Sequence, residues 1–234
     1  MIDIYLLCFN EEKILQFVID HYRKYMPNGN LIFYDNMSTD NSEKIIRDNG
    51  CEIRKFDTGN TFDDGRHMQI KNNCWKEPSK NNWVLAADLD ELTCITEEQL
   101  LEEESKGSTI ISCEGYTFVG GLTGSDLSVL KKGIRDGGYD KKSIFNRRHI
   151  TEMNYSPGAH NANPVGNIKY SENKYRTLHY KWISLEYVMN RHNMYAQRMS
   201  QTNKKFGWGI QYYWTNEKLT EVYNSLLPSL IDII

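Results

Sequence analysis

The sequence predicts an α/β fold, a mostly parallel sheet flanked by helices, and three observations carry that expectation. Short β-prone apolar runs alternate with helical spacing over the first hundred residues. Each run stops abruptly at polar or acidic residues. The fourth, Trp83-Val84-Leu85-Ala86-Ala87-Asp88-Leu89-Asp90-Glu91, is apolar until it ends in carboxylates spaced Asp-x-Asp. An acid is costly inside a buried strand, so that run reads as a central strand delivering carboxylates to the carboxyl edge of a sheet, where open α/β folds collect ligands.

The elements come in order along the chain. Residues 2–9 read as a strand broken by Asn10-Glu11-Glu12, and Ile14, Leu15, Val18, Ile19 and Tyr22 give helical spacing through Tyr25. Pro27-Asn28-Gly29-Asn30 marks a turn into a second strand, 31–34, that ends at Asp35-Asn36. Ser38 to Ser42 cap a helix expected over 43–49 and stopped by Gly50. A third strand is expected over 51–56 and a helix over 66–75, ahead of the carboxylate-tipped strand. Beyond it an acidic helix over 96–105 leads to a strand over 110–113, and Gly115, Gly120, Gly121 and Gly124 interrupt the stretch after that strand. Residues 131–167 predict loops and short strands, and helical spacing returns over 187–199.

At 234 residues one domain over 1–234 is the expectation. A net charge of −3 argues against bulk nucleic-acid binding. Cys8, Cys51, Cys74, Cys94 and Cys113 are odd in number and contain no Cys-x-x-Cys, which suits reduced thiols and a cytoplasmic location. No stretch is long and apolar enough for a transmembrane segment.

Carboxylates one residue apart at a strand end suit one hard divalent cation carrying phosphate oxygens; by itself such a pair equally serves as a helix N-cap. Its context adds Asn10-Glu11-Glu12 after the first strand, Asp35-Asn36-Met37-Ser38-Thr39-Asp40 after the second, and Arg66 with Asn72 before the fourth. In that order these features resemble a GT-A glycosyltransferase of the family 2-like branch, over roughly the first half of the chain. Leu178-His179-Tyr180-Lys181-Trp182-Ile183-Ser184 is similar to a His-Tyr stretch downstream in a related subgroup, although Lys181 falls earlier than that pattern has it.

The resemblance implies a GT-A fold in which 1–95 binds the nucleotide sugar and 96–234 forms the acceptor side with C-terminal helices. It implies transfer of a sugar from a nucleoside-diphosphate donor, a UDP-sugar first, to a glycan or other hydroxyl acceptor, with inversion and with bound Mn²⁺ or Mg²⁺. Asp90 is then the first metal ligand and a catalytic group, and Asp88, in the metal set with Asp90 and His179, contacts the ribose, a metal-bound water or both. His179 closes the metal shell, with His160 as rival ligand or acceptor-site residue. Asn10, Asp35, Arg66 and Asp88 form the donor-binding set, Asn36 replacing the second acid of the usual pair.

Inversion needs a carboxylate to take the acceptor proton, and Glu114, directly after the 110–113 strand, is expected there, with Glu91 and Asp140 as rivals. Tyr116, Phe118 and Trp182 are candidates to stack on a sugar; Lys141-Lys142 and Arg147-Arg148 could receive a diphosphate or an anionic acceptor, but such runs read first as solvated charge and stay outside the site set. Two other classes compete: a nucleotidyltransferase, which wants a Gly-rich basic phosphate loop where this chain has Asn10-Glu11-Glu12, and a non-catalytic nucleotide-sugar-binding module. The apolar end, 226–234, is expected to dock on the body, mediate a homodimer, or lead into an additional domain.

Overall fold

A computed structural model describes every residue except 123 and 125. The chain runs β1 (Ile2–Cys8), α1 (Glu12–Tyr25), β2 (Asn30–Asp35), α2 (Ser42–Asp48), β3 (Glu52–Lys55), α3 (Asp64–Asn73), β4 (Trp83–Asp88), β5 (Glu91–Cys94), α4 (Glu97–Ser105) and β6 (Ile110–Val119). It continues with β7 (Lys132–Arg135), β8 (Ile144–Asn146), β9 (Ile150–Glu152), β10 (Val165–Gly166), β11 (Tyr170–Trp182), α5 (Leu185–Arg198), α6 (Gln201–Phe206), α7 (Asn216–Leu226) and β12 (Ile231–Asp232).

The principal sheet has the order β12-β7-β6-β8-β4-β1-β2-β3, with β11 pairing both β5 and β6. It is mixed, but its longest ladders are parallel: β1 with β2 and β4, β2 with β3, and β11 with β6. The α/β architecture expected from the sequence is therefore the one observed. The chain leaves β1 for β2 on one side and returns to β4 on the other, which opens a crevice at the carboxyl ends of β1 and β4.

Pleat alternation assigns the core. Ile2, Ile4 and Leu6 face α1, meeting Ile14, Leu15, Val18 and Tyr22, all buried; Tyr5 and Leu7 face Ile70, Trp75, Val84 and Phe145. Asp3 falls on that second face and is buried, neutralised by Arg147 at 2.6 Å and held by Asn81 at 2.6 Å. Arg147 is thus a core ion-pair member and not the solvated charge expected of its run. Thr96 and Gln99 close a capping box that fixes the start of α4.

The main departure is β6. Gly115 reads as a strand terminator, yet β6 continues to Val119. The glycine is there because the chain at Asp136 and Tyr139 presses on it: an added Cβ would lie 2.4 Å from the Tyr139 Cβ. Phe118 and Trp182, offered for sugar stacking, are buried core residues, and the exposed side of Tyr116 carries Arg135 and Arg176. The C-terminal end docks on the body, since β12 pairs with β7 and Ile233 is buried.

Candidate active site

A cavity of about 360 Å³ lies at the carboxyl edge of β1 and β4. Its floor is the loop after β1, the β4–β5 turn and the first turns of α3, and its roof is α5 with Trp208, Gly209, Gln211 and Tyr212. Val188, Arg191, His192, Tyr195 and Arg198 recur at three- and four-residue spacing, so one face of α5 looks down into it. The roof is pinned: Phe62 donates its N–H to the Arg198 carbonyl at 2.6 Å, and Asn203 holds Asp64 at 2.8 Å.

Asp88, Asp90 and His179 all line this cavity, as the sequence led us to expect. The reason lies in pairing across the sheet. The turn Asp88-Leu89-Asp90 reverses β4 into β5, whose antiparallel ladder with β11 sets Glu91 directly opposite His179. Among the described residues, Asp90, Glu91 and His179 place ligand atoms within 4.8 Å of one another. Asp90 Oδ2 is 3.6 Å from His179 Nε2.

The histidine's tautomer is set by its neighbours. Thr117 donates its hydroxyl to Asp136 at 2.8 Å and so accepts from His179 Nδ1–H at 3.2 Å, which leaves the Nε2 lone pair facing Asp90. Tyr139 stacks on the ring at 3.7 Å. Burial, countered by Asp90, holds the imidazole below its ordinary pKa, hence neutral. Glu91 Oε2 is buried without a partner, while Oε1 accepts from Lys141 at 2.5 Å. Two carboxylates and a neutral imidazole, one oxygen orphaned, are a donor set that fits Mn²⁺ or Mg²⁺, with imidazole favouring the former.

Cations balance these acids. Lys71 reaches Asp88 at 2.7 Å and Lys141 lies 3.7 Å from it; together they outweigh burial and hold Asp88 down at about 2. Arg191 spans Glu11 at 3.1 Å and Asp90 at 3.4 Å, and also donates to the Tyr187 and Tyr195 hydroxyls. Burial pushes Glu11 up to about 7 against the pull of Arg191. It does the same to Glu91, again to about 7, against Lys141. Burial would raise Asp90, but Arg191 beside it holds the carboxyl far below the usual carboxylate range.

Several expected residues lie elsewhere. Asp88 is committed to Lys71 and stands outside the three-residue cluster, in which Glu91 takes its place. Arg66 is exposed and bonds Gln69 at 3.2 Å; Lys71, five residues on, is the buried base of that helix. Asp35 is buried and accepts from the Ser38 backbone and hydroxyl, a turn contact, leaving Asn36 to line the cavity. Asn10, at φ 52°, ties the β1 loop to Thr39 and borders a shallower adjoining opening with Asn36, Asn60 and Arg198. Glu114 pairs with Lys174 at 3.1 Å in mid-strand and does not line the cavity; Asp140 is taken by Arg135 and Gly115.

Three cavity bases are not legible in the sequence. Lys141, in a run that reads as solvated charge, is buried. Arg191 and Lys71 sit on helices whose inward face depends on packing partners far along the chain. His160 is at the cavity mouth, donating Nδ1–H to the Gly138 carbonyl at 2.8 Å. Gly158, at φ 71°, leaves room for that ring, since an added Cβ would come within 2.9 Å of it.

No protein-family model and no curated protein matches this chain. Among solved structures it is similar to S. aureus TarS residues 1–349 in complex with UDP, at 12% identity and TM-score 0.47, covering 84% of this chain and 64% of that one. The same S. aureus fragment in complex with UDP-GlcNAc gives 13% identity and TM-score 0.44 over 84% and 66%. Glucosyl-3-phosphoglycerate synthase from Mycobacterium tuberculosis, in complex with Mn²⁺ and UDP-glucose, gives 16% identity and TM-score 0.31 over 49% and 43%. The chain thus spans just under two thirds of the first TarS fragment and 39% of a longer TarS structure.

Proposed function

We propose that this chain is a GT-A glycosyltransferase that moves a sugar from a nucleoside-diphosphate donor, a UDP-sugar first among those to test, to an acceptor hydroxyl with inversion. The observation that carries the reading is the convergence of Asp90 and Glu91, from the β4–β5 turn, with His179, from β11, on one cavity walled by Lys71, Lys141 and Arg191. Those three side chains would hold Mn²⁺ or Mg²⁺, and Asp88 would bind a metal-held water or the ribose. A divalent cation there supplies Lewis-acid stabilisation of the departing diphosphate, worth several kcal/mol.

The chain's own residues do the rest. Lys71, Lys141 and Arg191 pair with carboxylates in this arrangement, and with Asp90 and Glu91 holding a cation Lys141 and Arg191 would be free to face phosphate oxygens. Arg198, whose guanidinium stacks 3.2 Å over Phe9, and Asn36 stand between this cavity and the shallower opening, the side assigned to the nucleoside.

For the acceptor proton we assign His160 in place of Glu114. Each cavity carboxylate already has a partner: Glu11 has Arg191, Asp64 has Asn203, Asp88 has Lys71, Asp90 has Arg191 and His179, and Glu91 has Lys141. With Nδ1–H given to Gly138, the Nε2 lone pair of His160 is the basic atom, and partial desolvation with Lys141 nearby lowers the ring's pKa from the ordinary imidazole value. His160→Gln is expected to cut transfer about 10²- to 10⁴-fold with UDP affinity unchanged, measured by turnover beside calorimetry. Wild-type turnover in that variant would remove His160 from the reaction.

The test of the function itself is Mn²⁺-dependent hydrolysis of a UDP-sugar panel with water as default acceptor. Binding without turnover for every donor would favour the non-catalytic module.

A further inference from the structure

Residues 187–216, thirty in succession, contain no Asp or Glu but include Arg191, Arg198, Lys204 and Lys205. In a chain of net charge −3 this leaves the remainder strongly negative. The stretch also forms the roof of the cavity, and its two sides differ. Trp208, Gln211 and Tyr212 line the cavity. Outward stand Phe206, Ile210, Tyr213 and Trp214, exposed by 57%, 65%, 52% and 38%.

Local geometry accounts for the division. Gly207, at φ 69°, ends α6 in a left-handed cap, and a 3₁₀ turn over Ile210–Tyr213 comes next. In a 3₁₀ turn side chains three apart eclipse, so Ile210 and Tyr213 share one side. Phe206 stacks on Trp208 at 4.9 Å, and the Lys205 ammonium lies 5.4 Å over the Phe206 ring. The result is an aliphatic and aromatic ridge fringed by lysines on the outer side of the cavity roof.

We propose that this ridge docks the protein on an anionic membrane surface, with Phe206, Ile210, Tyr213 and Trp214 entering the headgroup boundary and Lys204 and Lys205 meeting lipid phosphates. Aromatic rings with polar tips and long basic side chains are the residues that settle at that boundary. A sugar would engage the rings but gives no role to Ile210 or the lysines. A second copy meeting the same ridge about a two-fold axis would set Lys204 and Lys205 against their own equivalents. Among the described residues no helix is long and apolar enough to cross a membrane.

Docking there would set the outer side of the cavity roof against the lipid. Given the proposed sugar transfer, and resting on it, the acceptor hydroxyl would then be carried on a membrane-anchored molecule; the docking itself does not depend on that transfer.

The test is vesicle co-sedimentation with phosphatidylcholine alone and with phosphatidylcholine enriched in phosphatidylglycerol. Binding is expected to the anionic vesicles and to weaken as salt rises. K204E/K205E is expected to lower it about tenfold or more by removing the attraction to lipid phosphates, and I210S/Y213S about tenfold or more by removing apolar surface that enters the boundary. UDP binding in Mn²⁺ without vesicles should persist in both variants, which separates this proposal from the assignment of the cavity. Absence of binding to anionic vesicles at low salt, binding unchanged in both variants, or a solution dimer dissolved by I210S/Y213S would each overturn it.

Discussion

Asp90→Asn is expected to reduce Mn²⁺-dependent sugar transfer and donor hydrolysis by about 10³-fold or more, because several kcal/mol of charge stabilisation depends on that carboxylate and each 1.4 kcal/mol is roughly tenfold in rate. The substitution keeps the side chain's shape and removes its charge. Arg191 retains Glu11 as a partner at 3.1 Å, so the fold should hold, and circular dichroism with a thermal melt checks that. His179 and Glu91 stay in place but two ligands in place of three bind a cation weakly. Full metal-stimulated activity in the variant would refute the assignment of the β4–β5 turn.

Arg191→Met is expected to have the largest effect on stability. Arg191 is the cation shared by Glu11 and Asp90, both buried, and removing one member of a buried ion pair costs about 3–5 kcal/mol because a charge is left uncompensated. For a chain of this size that lowers Tm by roughly 10 °C. The loss should depend on pH in a definite sense. Glu11 already sits at about 7 through burial, and without Arg191 it moves further up. An acid whose folded-state pKa lies above its unfolded value contributes stability that is full below the unfolded pKa and is lost as pH rises through the folded one. The deficit relative to wild type is therefore larger at about pH 8 than at about pH 5. Melts of both proteins across that range decide it, and an unchanged Tm would mean that the pairing around Arg191 contributes nothing.

What could be read from the sequence was what local patterning fixes. The strand 83–88 lies where its apolar run puts it, and the helices over 12–25, 97–105 and 185–198 differ from expectation by a residue or two at their ends. Asp88, Asp90 and His179 reach one cavity. What escaped depends on contacts between distant segments. Glu91 became a cluster member because β11, far along the chain, pairs with β5 in the register that opposes it to His179. Helix α3 buries little besides Ile70 and Lys71, so its apolar spacing gives no phase, and nothing local says that Lys71 and not Arg66 faces inward. In Lys141-Lys142 and Arg147-Arg148 one member of each pair is drawn inward by an acid on another strand, Glu91 and Asp3. Glu114 lies outside the cavity lining because Gly115 marks a close approach within a continuing strand, not its end.

The membrane-facing ridge and the cavity are separable features, and each has its own variants. The catalytic assignment of His160 is likewise independent of the cation site, because His160→Gln leaves every residue around Asp90 untouched. A loss of turnover there with donor affinity intact would distinguish proton acceptance from donor binding.

Calorimetric titration of UDP into the protein, once with Mn²⁺ and once with a chelator, bears most directly on the reading of the cavity as a place where acids hold a cation and the cation holds a diphosphate. The account predicts binding at least about tenfold tighter with Mn²⁺, at a difference of about 1.4 kcal/mol or more. Equal affinity with and without the metal, or no binding of UDP in either case, would contradict it.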